Sequence, residues 1–109
     1  MHLIIDSGYD EDTLKEIDRG LQFLLSTPKG SYPLDRGFGI DYAFLDKPAP
    51  VAANMLAAEL KDTIPAMDPR VQLDRVEVER DDMTGTLKPT IYLKENDAAV
   101  AEEEEESDE

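Results

Sequence analysis

Asp35 and Asp41 are the two carboxylates whose spacing best suits acid–base chemistry, because they flank Phe38 in a glycine-containing stretch. Hydrolysis of a glycosidic bond uses two carboxyl groups about 5–10 Å apart. A general acid also needs an apolar pocket that raises its pKa, and the sequence specifies none. With 26 acidic residues in the chain, some pair meets that distance by chance. We therefore expect Asp35 to cap a turn and Asp41 to cap a helix or loop.

The sequence supports metal-dependent, serine-based and phosphate-binding sites even less. The chain has no cysteine, and His2 is its single histidine, so thiolate or histidine-rich metal sites and a serine–histidine pair are not expected. The segment Gly37–Gly39 lacks the glycine spacing of phosphate-binding loops. We expect no catalytic residues, no metal, no cofactor and no small-molecule substrate.

Arg70 stands out because it follows Pro69 at a predicted helix–strand junction in an acidic context. A guanidinium offers five donors in a fixed fork that suits a carboxylate or the carbonyl groups of a partner. Two interpretations remain open: an internal salt bridge, for example to Asp41 or Asp68, or a contact with another protein.

The charge of the chain argues against a nucleic-acid partner. The net charge is −15, and the last eight residues contain seven acids and no base. Without them the chain still has 19 acids against 11 bases. No cluster of lysine and arginine supplies the basic surface that DNA or RNA binding requires. The acidity is explained by solubility or by a host adapted to high salt.

Two amphipathic helices are predicted. Residues 10–25 repeat leucine and isoleucine with helical spacing. Asp10 can cap this helix, and Thr13 with Glu16 offers an alternative capping box. The stretch Pro48–Pro50 opens a second helix over about Val51–Ile64, which Pro65 is expected to end.

The second half of the chain predicts a β-hairpin over Val71–Leu93, with a bulge near Asp74 and Arg75 where the apolar alternation slips by one residue. Residues 1–5 favour a strand that joins this sheet, or a frayed terminus. The fold class expected is α+β, with two main helices packed on a small antiparallel sheet that has a prominent C-terminal β-hairpin. We expect residues 1–96 to form one domain and residues 97–109 to form an acidic, disordered tail.

The thirteen residues from Lys29 to Asp41 join the first helix to the rest of the chain. Three of the six glycines lie here, together with apolar side chains that can anchor the segment on a core. We expect a rigid loop in which Phe38 is buried and Gly39 has a positive φ.

This loop also carries a resemblance. The end of the preceding helix has Leu24-Leu25-Ser26, and the loop itself has Lys29-Gly30-Ser31, Pro33 and Phe38-Gly39-Ile40-Asp41. A second motif is Asp68-Pro69-Arg70. In this order and spacing the chain resembles, over about Leu14–Leu93, the gene-twenty-five-like family of phage baseplate wedge proteins and sheath initiators. That family has Lys-Gly-Ser-x-Pro followed by Phe-Gly-x-Asp, and usually Glu-Pro-Arg at the second motif.

The resemblance implies a structural protein of a contractile tail baseplate or a related injection particle, without enzymatic activity. Its partners would be other wedge proteins, tube and sheath subunits, and it would be assembled in the host cytoplasm. It implies that Arg70 contacts the trimeric helical core of the wedge. The partner-binding residues expected are Lys29, Gly30, Phe38, Gly39, Asp41, Arg70, Lys88 and Tyr92. A lysozyme-like peptidoglycan hydrolase and a cytoplasmic adaptor of the same fold are the alternatives.

The resemblance further implies that the hairpin primes the sheath by accepting a strand from a sheath subunit. Lys88, Lys94, Pro89 and the bulge would either protect a free edge from aggregation or control what docks there. No run of residues is long enough to span a membrane, and no secretory signal is evident.

Overall fold

The structure is a computed structural model of the chain, and it describes residues 2–31, 33–34 and 37–96. The acidic tail predicted for residues 97–109 and the cap predicted for Asp35 lie outside these residues. The elements are β1 (His2–Asp6), α1 (Glu11–Leu25), a short 3₁₀ helix (Tyr42–Asp46), α2 (Ala49–Met67), β2 (Val71–Arg80) and β3 (Leu87–Glu95). Two helices accompany one sheet, which confirms the α+β class.

The sheet is mixed, which corrects the expectation of an antiparallel one. Its strand order is β1-β3-β2, with β2 antiparallel to β3 and β1 parallel to β3. Parallel pairing is possible because both helices lie between β1 and β3 in the chain and supply the long crossover that it needs. The central strand is therefore β3, and the hairpin strand β2 lies at an edge.

The predicted bulge is confirmed. The β2–β3 register shifts between Leu73 and Arg75, which leaves Asp74 as the extra residue. Pro89 pairs with Val78 on β2 and lies just outside the stretch of β3, Thr90–Lys94, that pairs with β1. A proline at this position removes no hydrogen bond from the β1–β3 ladder.

The predicted cap of α1 is confirmed, since the Asp10 carboxylate accepts a hydrogen bond from the backbone N–H of Thr13 at 2.8 Å. The same bond lowers the pKa of Asp10. The buried face of α1 consists of Ile17, Leu21, Leu24 and Leu25.

The second helix runs longer than predicted, because it passes through Pro65 and ends at Met67. Proline lacks the N–H that would bond the carbonyl four residues before it. Pro65 lies in the last turn, where the loss of one such bond does not end the helix, and the Asp68 N–H still reaches the Ile64 carbonyl at 2.9 Å. Ala52, Leu56, Leu60 and Ile64 form its buried stripe.

One hydrophobic core joins the two helices to one face of the sheet. Its largest fully buried side chains are Phe44, Ile17, Leu21, Leu24, Ile40, Leu56, Leu60, Ile64, Ile91, Leu93 and Val71. Of the helices described, neither combines the length and the apolar character that a membrane span requires.

Candidate partner-binding surfaces

The loop Lys29–Asp41, called the glycine loop below, closes on itself through a short parallel bridge between Pro28 and Ile40. The Ile40 N–H donates to the Thr27 carbonyl at 2.8 Å, and the Lys29 N–H donates to the Ile40 carbonyl at 3.0 Å. Gly39 has φ +113°, which confirms the predicted positive φ, and a Cβ there would lie 2.5 Å from the Thr27 oxygen. Only glycine fits, because both the dihedral angle and the close backbone contact exclude a side chain.

Glu59 of α2 holds the end of this loop in place. Its Oε1 accepts the Asp41 backbone N–H at 3.0 Å and lies 3.6 Å from Lys29 Nζ, while the side chain is only 16% exposed. Sequence reasoning missed Glu59, although its position three residues after Leu56 puts an acid beside the apolar stripe of the predicted helix.

Asp41 caps the 3₁₀ helix, as expected, because its Oδ1 accepts the Ala43 N–H at 2.9 Å. The next residue, Tyr42, donates its hydroxyl to the Leu25 carbonyl and so links the loop to the end of α1. Burial raises the pKa of Tyr42, and the nearby Glu59 carboxylate adds to that shift. The second member of the proposed carboxylate pair, Asp35, lies outside the described residues.

Phe38 is only half-buried, so the expectation of a buried ring is wrong. Its ring packs 5.4 Å from that of Phe23, which lies on the outer side of α1 and is 51% exposed. Phe44, which is 1% exposed, fills the core instead. Next to Phe38 lies a groove of about 350 Å³, called the aromatic groove below, lined by Leu24, Gly37, Phe38, Gly39, Asp62, Thr63, Ala66 and Met67.

Arg70 makes the internal salt bridge that was one of its two interpretations. Its Nε and Nη2 donate to the two carboxylate oxygens of Asp68 at 2.9 and 2.8 Å, and Nη2 lies 3.5 Å from Glu16. This bidentate bond lowers the pKa of Asp68 and raises that of Arg70. The Arg70 side chain remains 38% exposed, so a partner contact stays a prediction.

The backbone around Arg70 joins three parts of the chain. The Arg70 carbonyl accepts the Tyr9 hydroxyl at 2.9 Å and the Asn96 N–H at 3.1 Å. Glu95 accepts the Gly8 N–H at 2.7 Å. This junction therefore fastens the segment between β1 and α1 to the base of the hairpin. Sequence reasoning did not find Tyr9, since a lone tyrosine before a helix carries no signal of its partner.

Lys88 and Tyr92 lie on the central strand rather than on a free edge. Lys88 Nζ is 3.3 Å from Asp81, and the Tyr92 hydroxyl donates to Glu77 at 2.9 Å. The Arg75 guanidinium stacks 3.8 Å above the Tyr92 ring. Because β1 pairs with Thr90–Lys94, Lys94 does not guard a free edge, whereas Lys88 and Pro89 precede the stretch of β3 that β1 covers.

The free edge of the hairpin belongs to β2. The Asp81 N–H donates to the Thr86 carbonyl at 2.8 Å, so the backbone groups of Asp81 face β3. In an antiparallel pair, successive residues alternately turn these groups towards and away from the partner strand. From this phase, the N–H and C=O groups of Val76, Val78 and Arg80 point away from β3. This side of Val76–Arg80, called the β2 edge below, pairs with no other strand of the described residues. It can form backbone hydrogen bonds with an added strand.

Metal chemistry finds no support in the described part of the chain. Within residues 2–31, 33–34 and 37–96, no three histidine, aspartate or glutamate side chains come together in a way that could hold a metal ion.

The family model described as "Baseplate wedge protein gp25" matches residues 11–96. No curated protein matches the chain. The matched region contains both helices, the glycine loop, Arg70 and the whole hairpin, whereas β1 and residues 7–10 precede it. The resemblance found in the sequence motifs is thus confirmed, and the chain belongs to the family of the baseplate wedge protein gp25, which has a structural role in the phage tail baseplate.

Proposed function

We propose that this protein joins the baseplate wedge to the tail tube and primes sheath assembly by accepting a strand at the β2 edge. Family membership supports a baseplate role and association with other baseplate or tail proteins. The observation that carries the finer proposal is the row of outward backbone groups at Val76, Val78 and Arg80.

The β2 edge sets the chemistry of the strand that it accepts. Val76 and Val78 are half-buried on the helix-covered face, and Glu77 and Glu79 are exposed on the other face. An added strand would therefore place apolar side chains towards the helices and basic ones outwards. The bulge at Leu73–Arg75 ends the regular ladder, so the added strand pairs only with the segment after it.

In this proposal the wedge contact uses the glycine loop, the aromatic groove and Arg70 rather than the β2 edge. Lys29, Gly39 and Asp41 are used in internal contacts, and they shape the loop on which Gly30 and the half-buried Phe38 are presented. The aromatic groove and the exposed part of Arg70 are the surfaces left for other wedge proteins. Assembly in the host cytoplasm and adaptation of the host to salt remain parts of the proposal.

The test is Val78→Pro, because Val78 donates outwards and proline there removes an edge donor without breaking a β2–β3 bond. Val78→Ala is the matched control, since it removes side-chain atoms but keeps the N–H. Ile91 is unsuitable for the same test because it is buried in the central strand. In co-assembly with wedge, tube and sheath subunits, Val78→Pro should keep the wedge complex and lose sheathed tubes in electron micrographs. Normal sheaths with Val78→Pro would contradict the proposal.

Hydrolysis of peptidoglycan is not expected. The Asp41 carboxylate that such a reaction would use is already bonded to the Ala43 N–H. The purified chain should give no clearing in a peptidoglycan zymogram, and a clear band that disappears in Asp41→Asn would restore the hydrolase alternative.

A further inference from the structure

The aromatic groove is an open, mainly apolar surface where the glycine loop meets α1 and α2. Its volume is about 350 Å³, and of its lining residues Phe38 and Met67 are half-buried and Ala66 is exposed. The Phe23 ring, with its centroid 5.4 Å from that of Phe38, is 51% exposed and extends the apolar surface beyond the groove. A concave apolar surface with accessible aromatic rings can take the anchor side chain of a partner protein.

A carboxylate at the groove adds a charge requirement to this apolar surface. Asp62 is the charged residue among the described residues that line the groove, and its side chain is exposed. Within the part of the chain that the structure describes, Asp62 forms no hydrogen bond and no ion pair. The side chain that complements the groove is therefore an aliphatic one with a basic side chain beside it.

Gly20 leaves the α1 side of this surface without a side chain. It lies one helical turn before Leu24, which lines the groove, and a Cβ on Gly20 would lie 3.8 Å from the Met67 Cε. Outside α1, no other atom of the described residues lies within 4 Å of that position. Glycine inside a helix is unfavourable relative to alanine, and no internal backbone contact requires it here. The gap beside Met67 instead allows the backbone of a partner to come close.

We infer that the aromatic groove binds a segment of a neighbouring wedge subunit that carries an aliphatic side chain and, beside it, a lysine or arginine. The aliphatic side chain packs on Phe38 and Met67, and the basic side chain pairs with Asp62. This inference rests on the proposed function, because it specifies the chemistry of the wedge contact, but it does not involve the β2 edge.

Charge favours a different subunit over a second copy of this chain. The net charge of −15 makes two copies repel each other at close range. A neighbouring subunit that is less acidic overall can bring a basic side chain to Asp62 without that repulsion.

The test fills the groove with a longer side chain while the fold stays intact. Ala66→Gln does so, because Ala66 lines the groove, is exposed, and glutamine is a good helix former. Ala58→Gln is the matched control, since it makes the same change at an exposed position of α2 that does not line the groove. The labelled full chain of 109 residues is titrated with each purified wedge subunit of its own particle, and fluorescence anisotropy gives the Kd.

The native chain and Ala58→Gln should bind the same wedge subunit with Kd values within about two-fold of each other, and Ala66→Gln should bind it at least about ten-fold more weakly. Asp62→Lys should also weaken binding at least about ten-fold, whereas Asp82→Lys in the hairpin turn should change it less than about two-fold. The difference in affinity between the native chain and Asp62→Asn should shrink as salt is added, because salt screens the ion pair.

Equal Kd values for Ala66→Gln and Ala58→Gln would overturn the groove as the binding site. Binding by Asp62→Lys as tight as that of the native chain would overturn the basic partner. If the native chain binds no wedge subunit, or forms a dimer that Ala66→Gln abolishes, the choice of occupant is wrong. If Val78→Pro leaves sheath assembly intact while Ala66→Gln loses the wedge subunit, the priming function fails and the groove stands.

Discussion

The glycine loop and the β2 edge use their backbone groups in opposite ways. In the loop, the N–H groups of Lys29, Ile40 and Asp41 are all bonded inside the protein, the last of them to Glu59. On the β2 edge, Val76 and Val78 turn their N–H groups outwards, away from β3. The loop motif that identifies the family therefore stabilises the domain, whereas the outward backbone groups of the β2 edge pair with no other strand of the described residues.

The two regions also differ in how far sequence constrains them. Gly39 must be glycine because its φ is +113° and the Thr27 oxygen lies 2.5 Å from where a Cβ would be. An edge strand needs only alternation and an open side, which many side chains satisfy. The loop is therefore the easier of the two regions to recognise by motif, even though we propose that the partner strand binds at the β2 edge.

The largest expected effect comes from Gly39→Ala, which tests whether the loop is as fixed as this comparison requires. The added Cβ meets backbone atoms rather than a flexible side chain, so the loop has to move away from Pro28 and Lys29. Left-handed strain and overpacking together should lower the free energy of unfolding by about 2–5 kcal/mol. Urea denaturation measures this loss.

Gly30→Ala is the matched control for that measurement. Gly30 also has a positive φ, of +88°, but a Cβ there would meet no atom within 4 Å. Its cost should be limited to backbone strain, about 1–2 kcal/mol. Equal losses for the two alanines would mean that the close contact at Gly39 relaxes without cost.

Phe38→Ala should have a smaller effect, because the ring is half-buried and packs on the partly exposed Phe23. We expect a loss of about 1–3 kcal/mol, below the roughly 3–5 kcal/mol expected for Phe44→Ala in the core. Comparing the two urea midpoints separates a surface aromatic from a core aromatic. A loss for Phe38→Ala as large as that for Phe44→Ala would show that the ring fills the core after all.

Much of the local structure followed from the sequence, because it depends on neighbouring residues. The Asp10 cap, the bulge near Asp74 and the positive φ of Gly39 all come from short-range steric and hydrogen-bonding rules. The parallel pairing of β1 did not follow, since it brings residues 2–6 against residues 90–94. Because that pairing was missed, Lys94 was assigned to an edge that β1 covers.

In the candidate sites, too, short-range contacts were predicted from the sequence and long-range contacts were not. The Asp41 cap was predicted because its bond reaches only two residues along the chain. The roles of Glu59 and Tyr9 were not, because their partners lie 18 and 61 residues away. Burial of Phe38 was predicted from hydrophobicity alone, which does not say which of two nearby aromatics, Phe38 or Phe44, enters the core.

The Arg70 junction gives a prediction with a pH dependence. The hydrogen bonds from Arg70 to the Asp68 carboxylate hold the pKa of Asp68 below its value in the unfolded chain. The stabilisation is therefore complete above the unfolded pKa of about 4 and is lost as the pH falls through the lower folded pKa. Because Arg70 is 38% exposed and screened by solvent, Asp68→Asn should cost only about 1 kcal/mol at neutral pH.

Urea denaturation between pH 2 and 7 measures this dependence. The difference in stability between the native chain and Asp68→Asn should shrink towards the acid end. Asp82→Asn, in the exposed turn of the hairpin, is the control. Its free energy of unfolding should change with pH in the same way as that of the native chain. A constant difference between Asp68→Asn and the native chain at all pH values would rule out the ionised pair as the source of the stability.

The smallest effect is expected from truncation after Asn96, which removes a segment that belongs to neither region. Eight of the 26 acidic residues follow Asn96, so the net charge changes from −15 to −7. An acidic segment with few apolar residues buries too little surface to offset its ordering entropy, and removing it reduces self-repulsion. The melting temperature should therefore stay the same or rise slightly, and added salt should stabilise the full chain more than the truncated one. A clear drop in melting temperature would mean that residues 97–109 bind the domain, and the acidity would then serve the fold rather than the solubility of the chain.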